Sequence, residues 1–113
     1  MRWFLRSKIH KATVTDVDLN YVGSIGIDKS LIEKVGILPG EKVLVVDNAN
    51  GTRLETYTIE KEENSGKIII YGAASRLIKK GDEIIIMGFE LTDESIKAKS
   101  ILVDKNNKFV KFL

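Results

Sequence analysis

A short pattern that occurs twice constrains this fold more than any other feature of the sequence. Residues 38–45 (LPGEKVLV) align with residues 79–86 (KKGDEIII). In both copies a glycine turn and an acidic residue lead from a short helical segment into a hydrophobic strand. A twofold repeat of helix, turn and strand in a small β-rich chain predicts a pseudo-symmetric barrel. Two independent hairpins with the same turn chemistry would give a similar pattern.

Strand patterns dominate the rest of the chain. Runs of alternating or β-branched residues, bounded by turn residues, predict strands over Lys8–Asp16, Lys42–Asp47, Arg53–Glu60, Lys67–Tyr71, Glu83–Glu90 and Ile101–Asp104. One helix is predicted after Asp28, which can cap its N-terminus, with Gly36 as its left-handed stop. Shorter helical segments are predicted after Gly72 and from Thr92. The sequence therefore predicts a mainly β protein with a few short helices.

Length and charge exclude several classes of protein. The chain has 113 residues, which suits one domain, residues 1–113, with one core. Its net charge of +2 is too small for a nucleic-acid or membrane-surface footprint. No apolar run approaches the ~20 residues of a membrane span. Without cysteine and with a single histidine, the chain offers no disulfide and no plausible metal site. We expect a cytoplasmic protein that binds neither nucleic acid nor membrane.

The Gly23–Ser24 bond is the candidate reactive centre. The serine hydroxyl can attack the preceding carbonyl through a five-membered ring, and a glycine without Cβ lets that carbonyl be approached closely. Attack converts the amide to an ester. Elimination and hydrolysis then cut the chain into residues 1–23 and 24–113 and leave a pyruvoyl group in place of Ser24. The same dipeptide also fills ordinary turns, here one that would enter a strand over Ile25–Asp28.

Three further segments place polar or small residues in suggestive positions. Arg53 and Tyr57 share one face of a predicted strand, whereas Thr56 lies on the other face. Lys8 and His10 share a face of the first strand. The segment Gly72-Ala73-Ala74 closes another strand with small residues that expose backbone N–H groups. Each segment also has an ordinary explanation: a solvated strand residue, an aromatic at the barrel edge, or a tight turn.

Taken together, these segments resemble the aspartate 1-decarboxylase family, pyruvoyl-dependent enzymes that make β-alanine for pantothenate. The resemblance rests on residues 8–15 (KIHKATVT), 20–24 (NYVGS), 50–57 (NGTRLETY) and 72–74 (GAA), and it runs in register from about Lys8 to Phe89. It implies a double-psi β-barrel and a homotetramer with active sites between subunits. It also implies a proenzyme that cleaves itself between Gly23 and Ser24, and it is compatible with a separate maturation factor.

The resemblance implies a role for each matched residue. Ser24 becomes the covalent pyruvoyl cofactor and Tyr57 the proton donor, and no metal is involved. Substrate contacts fall to Thr56 and to the backbone of Gly72, Ala73 and Ala74. Lys8 and Arg53 match cationic residues near the carboxylates of L-aspartate. Tyr71 departs from the family pattern, which usually has asparagine there, and this bears on processing and substrate fit.

The chemistry of decarboxylation calls for the same kinds of residue. The reaction leaves a carbanion, and a pyruvoyl group that forms an imine with the substrate amine is an electron sink. The guanidinium of Arg53 suits bidentate binding of a carboxylate. An apolar wall such as Ile85 suits the departing carboxylate. Tyr57, protonated at neutral pH, can return a proton to Cα.

Self-cleavage calls for a hydrogen-bond donor to the oxyanion that forms at the Gly23 carbonyl. The Thr56 hydroxyl is our candidate for that donor. We expect Tyr21 to pack and orient the loop rather than to react. His10 is either a base or a structural histidine satisfied by hydrogen bonds.

Two alternative functions remain open at the level of sequence. One is a non-enzymatic β-barrel that serves as a binding module. The other is a pyruvoyl decarboxylase for another acidic amino acid such as glutamate, since Arg53 and Lys8 favour an acidic substrate without choosing its length. The intact mass of the purified protein separates the first alternative from the enzymes.

Overall fold

The computed structural model describes all 113 residues. Its strands are β1 (Arg2–Thr13), β2 (Asp16–Asp18), β3 (Ser24–Asp28), β4 (Lys42–Asp47), β5 (Arg53–Lys61), β6 (Ile68–Tyr71), β7 (Glu83–Thr92), β8 (Lys99–Val103) and β9 (Phe109–Phe112). One α-helix, α1 (Lys29–Val35), and a 3-10 turn over Gly72–Arg76 complete the structure. The predicted fold class, mainly β with a few short helices, is confirmed. None of these helical segments is long and apolar enough to cross a membrane.

The structure corrects the predicted elements in three places. The strand predicted over Lys8–Asp16 begins at Arg2 and is divided into β1 and β2. The C-terminal strand β9 was not predicted. The helix predicted from Thr92 is wrong, because β7 runs through Thr92. The N-terminal end of β1 pairs with this part of β7, Arg2 opposite Thr92, and the ladder outweighs the local helix-start signal.

The sheet closes on itself around the core. Its strand order is β2-β6-β3-β5-β4-β7-β1-β8-β9. Strands β1 and β2 are two parts of one bent stretch, and Thr15 between them donates its amide to the Ile68 carbonyl (2.8 Å). This stretch therefore borders β7 on one side and β6 on the other, which closes a barrel. Inside lies a single cluster of 18 buried apolar residues.

The sequence repeat corresponds to a pseudo-twofold axis of the barrel. The two repeated strands, β4 and β7, pair antiparallel with Val45 opposite Ile86, the residues that align in the two copies. The turns before them form the same hydrogen bond, from the Leu38 amide to the Glu41 carboxylate and from the Lys79 amide to the Asp82 carboxylate (both 3.0 Å). The repeat is thus a property of the fold and not a coincidence of turn chemistry.

Asp28 anchors the end of β3 and the start of α1. Its buried carboxylate accepts hydrogen bonds from the amides of Ser30, Asn64 and Gly66 (2.8–3.0 Å). Burial alone would raise the pKa of Asp28, but these hydrogen bonds outweigh it and hold the pKa below its usual range. Helix α1 then ends at Gly36, which adopts the predicted left-handed conformation (φ 76°). The strand that begins at Ser24 is therefore held firmly at its far end.

Candidate active site

Ser24 is the first residue of β3 and lies opposite Tyr71 of β6 in an antiparallel pair. Its side chain is buried, with the residue 2% exposed, although the loop just before it is exposed. The hydroxyl donates to the Val22 carbonyl at 3.4 Å, a long hydrogen bond. The nucleophile predicted from the sequence is therefore shielded from water and only weakly held.

The turn after β6 packs directly against the Gly23–Ser24 bond. Gly72 has a left-handed backbone (φ +77°), and a Cβ there would lie 2.7 Å from the Gly23 Cα and 3.3 Å from the Tyr21 carbonyl oxygen. Only glycine allows this approach without displacing backbone. Ala73 and Ala74 follow within the same 3-10 turn. The structure thus brings together two motifs that are distant in the sequence, one around Gly23 and one around Gly72.

Strand β5 flanks β3 on the other side and extends past its start. The parallel register pairs Ile25 with Thr58. Continued backward, this register brings Tyr57 beside Ser24 and Thr56 beside Gly23. On its opposite edge β5 pairs with β4 over Arg53–Tyr57. The segment Arg53–Tyr57, which carries predicted site residues, therefore has one edge free of strand partners. That edge lies next to the loop that precedes Ser24.

Alternation along the strands assigns the side chains to faces. Ile25 and Thr58 are buried on the core side of the barrel, so Ser24 and Tyr57 face outward. Tyr57 is 41% exposed, and Thr56 is half-buried on the other face. Strand β5 gains its second partner strand, β3, at Thr58, just after these two adjacent residues.

Arg53 lies on the same outward face as Tyr57, at the start of β5. Arg53 pairs with Val46, which pairs in turn with Ile85. Arg53 and Ile85, the apolar residue predicted beside the departing carboxylate, therefore lie in one row across the sheet. Glu55, two residues along the strand, is already bound to Lys42 (2.9 Å). Arg53 has no carboxylate within ion-pair distance in this chain and is free to bind one.

Lys8 and His10 are not brought to this centre through strand pairing within one chain. Their strand, β1, lies between β7 and β8, and Lys8 pairs with Met87. The Nδ1 atom of His10 is buried without a hydrogen-bond partner. Burial, with the charges of Lys8 and Lys11, lowers the pKa of His10, which keeps the imidazole neutral at neutral pH. Within one chain, Nδ1 therefore lacks the hydrogen bond that a structural role would supply, and both interpretations of His10 stay predictions.

Lys61 is a neighbour of the site that the sequence reasoning missed. Its side chain covers Gly26, and its ammonium lies 5.7 Å from the centroid of the Tyr71 ring. The only signal was its spacing of four residues from Tyr57, which places both on one face of β5. Tyr71 and Lys61 thus cover Gly26, two residues after Ser24, on the outward side of β3.

The chain is similar to several known proteins. The protein-family model described as "Aspartate decarboxylase" matches residues 1–110. Proteins named "Aspartate 1-decarboxylase" from Neisseria meningitidis and Caldicellulosiruptor saccharolyticus are 52% and 55% identical to the chain over 111 residues, which cover 95% of this chain and 87% of each relative. The protein of that name from Thermoanaerobacter pseudethanolicus is 52% identical, with 95% of both chains covered. Among solved structures, the rationally designed protein mkDPBB_sym1 matches with a TM-score of 0.48 and 19% identity, covering 75% of this chain and 96% of the designed one.

Proposed function

The chain belongs to the aspartate decarboxylase family, and from this premise we propose that it cleaves itself at Gly23–Ser24 and then decarboxylates L-aspartate to β-alanine, which supplies pantothenate synthesis. The observation that carries the proposal is the packing of the Gly72 turn on the Gly23 backbone, beside a buried serine. An ordinary turn would not need a left-handed glycine pressed against the peptide that precedes the serine.

Self-cleavage follows from the groups around the bond. The Ser24 oxygen bonds to the Gly23 carbonyl carbon, the C–N bond breaks, and the hydroxyl proton passes to the freed nitrogen. Loss of the Ser24 α-proton then expels the Gly23 carboxylate, and water hydrolyses the resulting residue to the keto form with release of ammonia. Thr56, beside Gly23 on the continued register, donates a hydrogen bond to the oxyanion of the first step.

The residues present fit a pyruvoyl group at position 24. The position is buried, and Lys61 and Tyr71 cover the neighbouring Gly26 on the outward side of β3. On the side of the Gly72 turn, Gly72 has no Cβ, so its backbone can lie directly against the Gly23 backbone. When formed, the group withdraws electrons from the substrate Cα so that carbon dioxide can leave.

Binding and protonation are the tasks of this chain's side chains. The unpaired guanidinium of Arg53 holds one carboxylate of aspartate in a bidentate contact. The departing carboxylate lies toward Ile85, a half-buried apolar side chain on the same outward face. Tyr57 faces outward beside Ser24 and returns a proton to Cα from its hydroxyl, and Thr56, Gly72, Ala73 and Ala74 line the substrate position.

The assembly that we propose is a homotetramer. The second cation, Lys8, lies on a strand that does not adjoin β3 or β5, and we propose that a neighbouring copy of the chain supplies it. The outward face that bears Arg53 also carries half-buried apolar residues such as Leu44, Met87 and Phe89, which suit contact between copies.

The intact mass of the purified chain tests this proposal. We expect two species, residues 1–23 and a 24–113 fragment that lacks ammonia, whereas Ser24→Ala should stay intact and inactive. Purified protein without additions also shows whether a maturation factor is needed. A wild-type chain that remains whole after long incubation with a cell extract would favour a non-enzymatic barrel, and faster turnover of glutamate than of aspartate would change the substrate.

A further inference from the structure

We propose that Tyr71 is a positioning residue for self-cleavage, whose ring clamps the loop before the Gly23–Ser24 bond and is itself held by Lys61. The inference rests on the proposed function, since it concerns the same bond. It goes further because neither Tyr71 nor Lys61 belongs to the matched segments, and because their contacts with the loop and with each other appear only in the structure.

The Tyr71 ring contacts the loop directly. It packs on the Tyr21 ring with 4.5 Å between centroids and an angle of 42° between planes. Tyr71 is 8% exposed and Tyr21 is 52% exposed, so the inner ring is a fixed platform and the outer ring belongs to the exposed loop. Because the next residue, Gly72, presses on Gly23, the loop is held on both sides of Val22.

This clamp matters because the loop has few other attachments. The backbone amide of Asn20 donates to the Asp18 carboxylate at 3.0 Å, within the same turn. The Ser24 hydroxyl binds Val22 at 3.4 Å. Neither contact fixes the Gly23 carbonyl relative to the serine oxygen. The stacked rings tie Tyr21 to the strand that pairs with Ser24, and so limit the motion of the carbonyl that must be attacked.

Lys61 holds the platform from the other side. A Cβ on Gly26 would lie 2.9 Å from the Lys61 Cδ and 3.1 Å from the Tyr71 Cε2, so the lysine stem and the ring both lie on this glycine. The ammonium is 5.7 Å from the ring centroid, within the range of a cation–π contact. The Tyr71 hydroxyl raises the pKa of Lys61, which keeps the ammonium charged. No carboxylate forms an ion pair with Lys61.

The first experiment measures the rate of self-cleavage of freshly purified proenzyme by intact mass. Tyr71→Phe keeps the ring and should cleave within about threefold of wild type, whereas Tyr71→Ala should be slower by about tenfold or more. Tyr21→Ala should be slowed similarly. The double variant should be no slower than either single variant, because one contact is removed twice. Lys61→Ala should slow cleavage by about threefold, and the exposed Lys80→Ala is its matched control.

Folding is checked in the uncleavable Ser24→Ala background, where each variant should unfold cooperatively well above the assay temperature. Tyr71→Ala that cleaves as fast as wild type would overturn the clamp. So would a Tyr71→Phe variant as slow as Tyr71→Ala, or additive effects of Tyr21→Ala and Tyr71→Ala. A Lys61→Ala rate equal to that of Lys80→Ala would overturn the role of Lys61. If wild type itself stays whole, the proposed function fails and this inference fails with it; if wild type cleaves, the other outcomes concern the clamp alone.

Discussion

Thr56 and Tyr57 are adjacent residues to which our proposal gives separate tasks. Tyr57 faces outward beside Ser24, and Thr56 lies half-buried on the opposite face beside Gly23. Tyr57→Phe removes only the acidic proton, so it should cleave itself normally and decarboxylate about a hundredfold or more slowly. Thr56→Val removes the oxyanion donor and should leave mostly intact chain. The measurements are the fraction cleaved and the turnover per pyruvoyl group. Cleavage that fails in Tyr57→Phe but proceeds in Thr56→Val would reverse the two assignments.

Arg53 is the residue that selects an acidic substrate in our proposal. Its guanidinium has no carboxylate partner within the chain, whereas neighbouring Glu55 is satisfied by Lys42. Arg53→Lys replaces a bidentate fork by a point charge and should weaken the binding of aspartate by roughly 2–4 kcal/mol. The variant should still cleave itself, because Arg53 does not touch the Gly23–Ser24 bond in the mechanism. Steady-state kinetics check this, and an unchanged kcat/KM for aspartate would exclude Arg53 as the carboxylate clamp.

At the scale of elements, the turn after β6 is the part of the barrel that presses on Gly23, beside the proposed cleavage bond. Gly72→Ala would place a Cβ 2.7 Å from the Gly23 Cα, so either the turn or the loop must move. We expect self-cleavage to be lost or slowed by about a hundredfold, since misplacement by about 1 Å can cost that much.

Gly36→Ala is the matched control for this variant. Gly36 has nearly the same backbone angle (φ +76°) but nothing within 4 Å of the added Cβ. It should lose stability by about 1–2 kcal/mol from the left-handed conformation alone and keep its rate of cleavage. Thermal unfolding and intact mass, measured on both variants, separate backbone strain from the contact with Gly23. Equal cleavage rates in the two variants would contradict the proposed role of the turn.

At the scale of the whole molecule, a carboxyl pair joins the two halves of the repeat. Asp47 at the end of β4 is fully buried, and its Oδ2 atom has no hydrogen-bond donor. Burial and the neighbouring Asp82 carboxylate raise the pKa of Asp47 to about 6, while a hydrogen bond with Asp47 lowers the pKa of Asp82. A protonated Asp47 could donate a hydrogen bond from Oδ2 to the Asp82 carboxylate, and this buried oxygen would then have a hydrogen-bond partner.

This pair predicts a pH dependence of stability. The pKa of Asp47 is higher in the folded state than its usual 3.8. The contribution of Asp47 to the free energy of unfolding is therefore complete below pH 3.8 and is lost as the pH rises through about 6. Asp47→Asn mimics the protonated form, so its Tm should exceed that of wild type by about 3–8 °C at pH 7.5 and match it near pH 5. The exposed Glu90→Gln, which removes the same charge, should show no such difference. A Tm gap for Asp47→Asn that does not change between these pH values would rule out the shared proton.

The sequence by itself determined the chemistry and the class of fold. The Gly23–Ser24 bond, the segment from Arg53 to Tyr57 and the small residues after Tyr71 are local patterns, and their joint occurrence indicated the family that the comparisons show. The repeat and the strand periodicities predicted a pseudo-symmetric β-barrel, because a barrel of this size is built from short strands whose alternation is local. The N-cap at Asp28 and the C-terminal stop at Gly36 could likewise be predicted from the sequence, because each acts within one turn of helix α1.

Only the tertiary structure decided which of these residues meet. The approach of Gly72 to Gly23, the stack of Tyr21 on Tyr71 and the position of Lys61 depend on pairing between β3, β5 and β6, which are distant in the sequence. The same applies to the separation of Lys8 from Ser24 and to the extension of β7 through Thr92. Alternation tells which residues share a face of one strand, but register between strands is set by non-local contacts. The candidate reactive bond could therefore be predicted from the sequence, and the surroundings that position it could not.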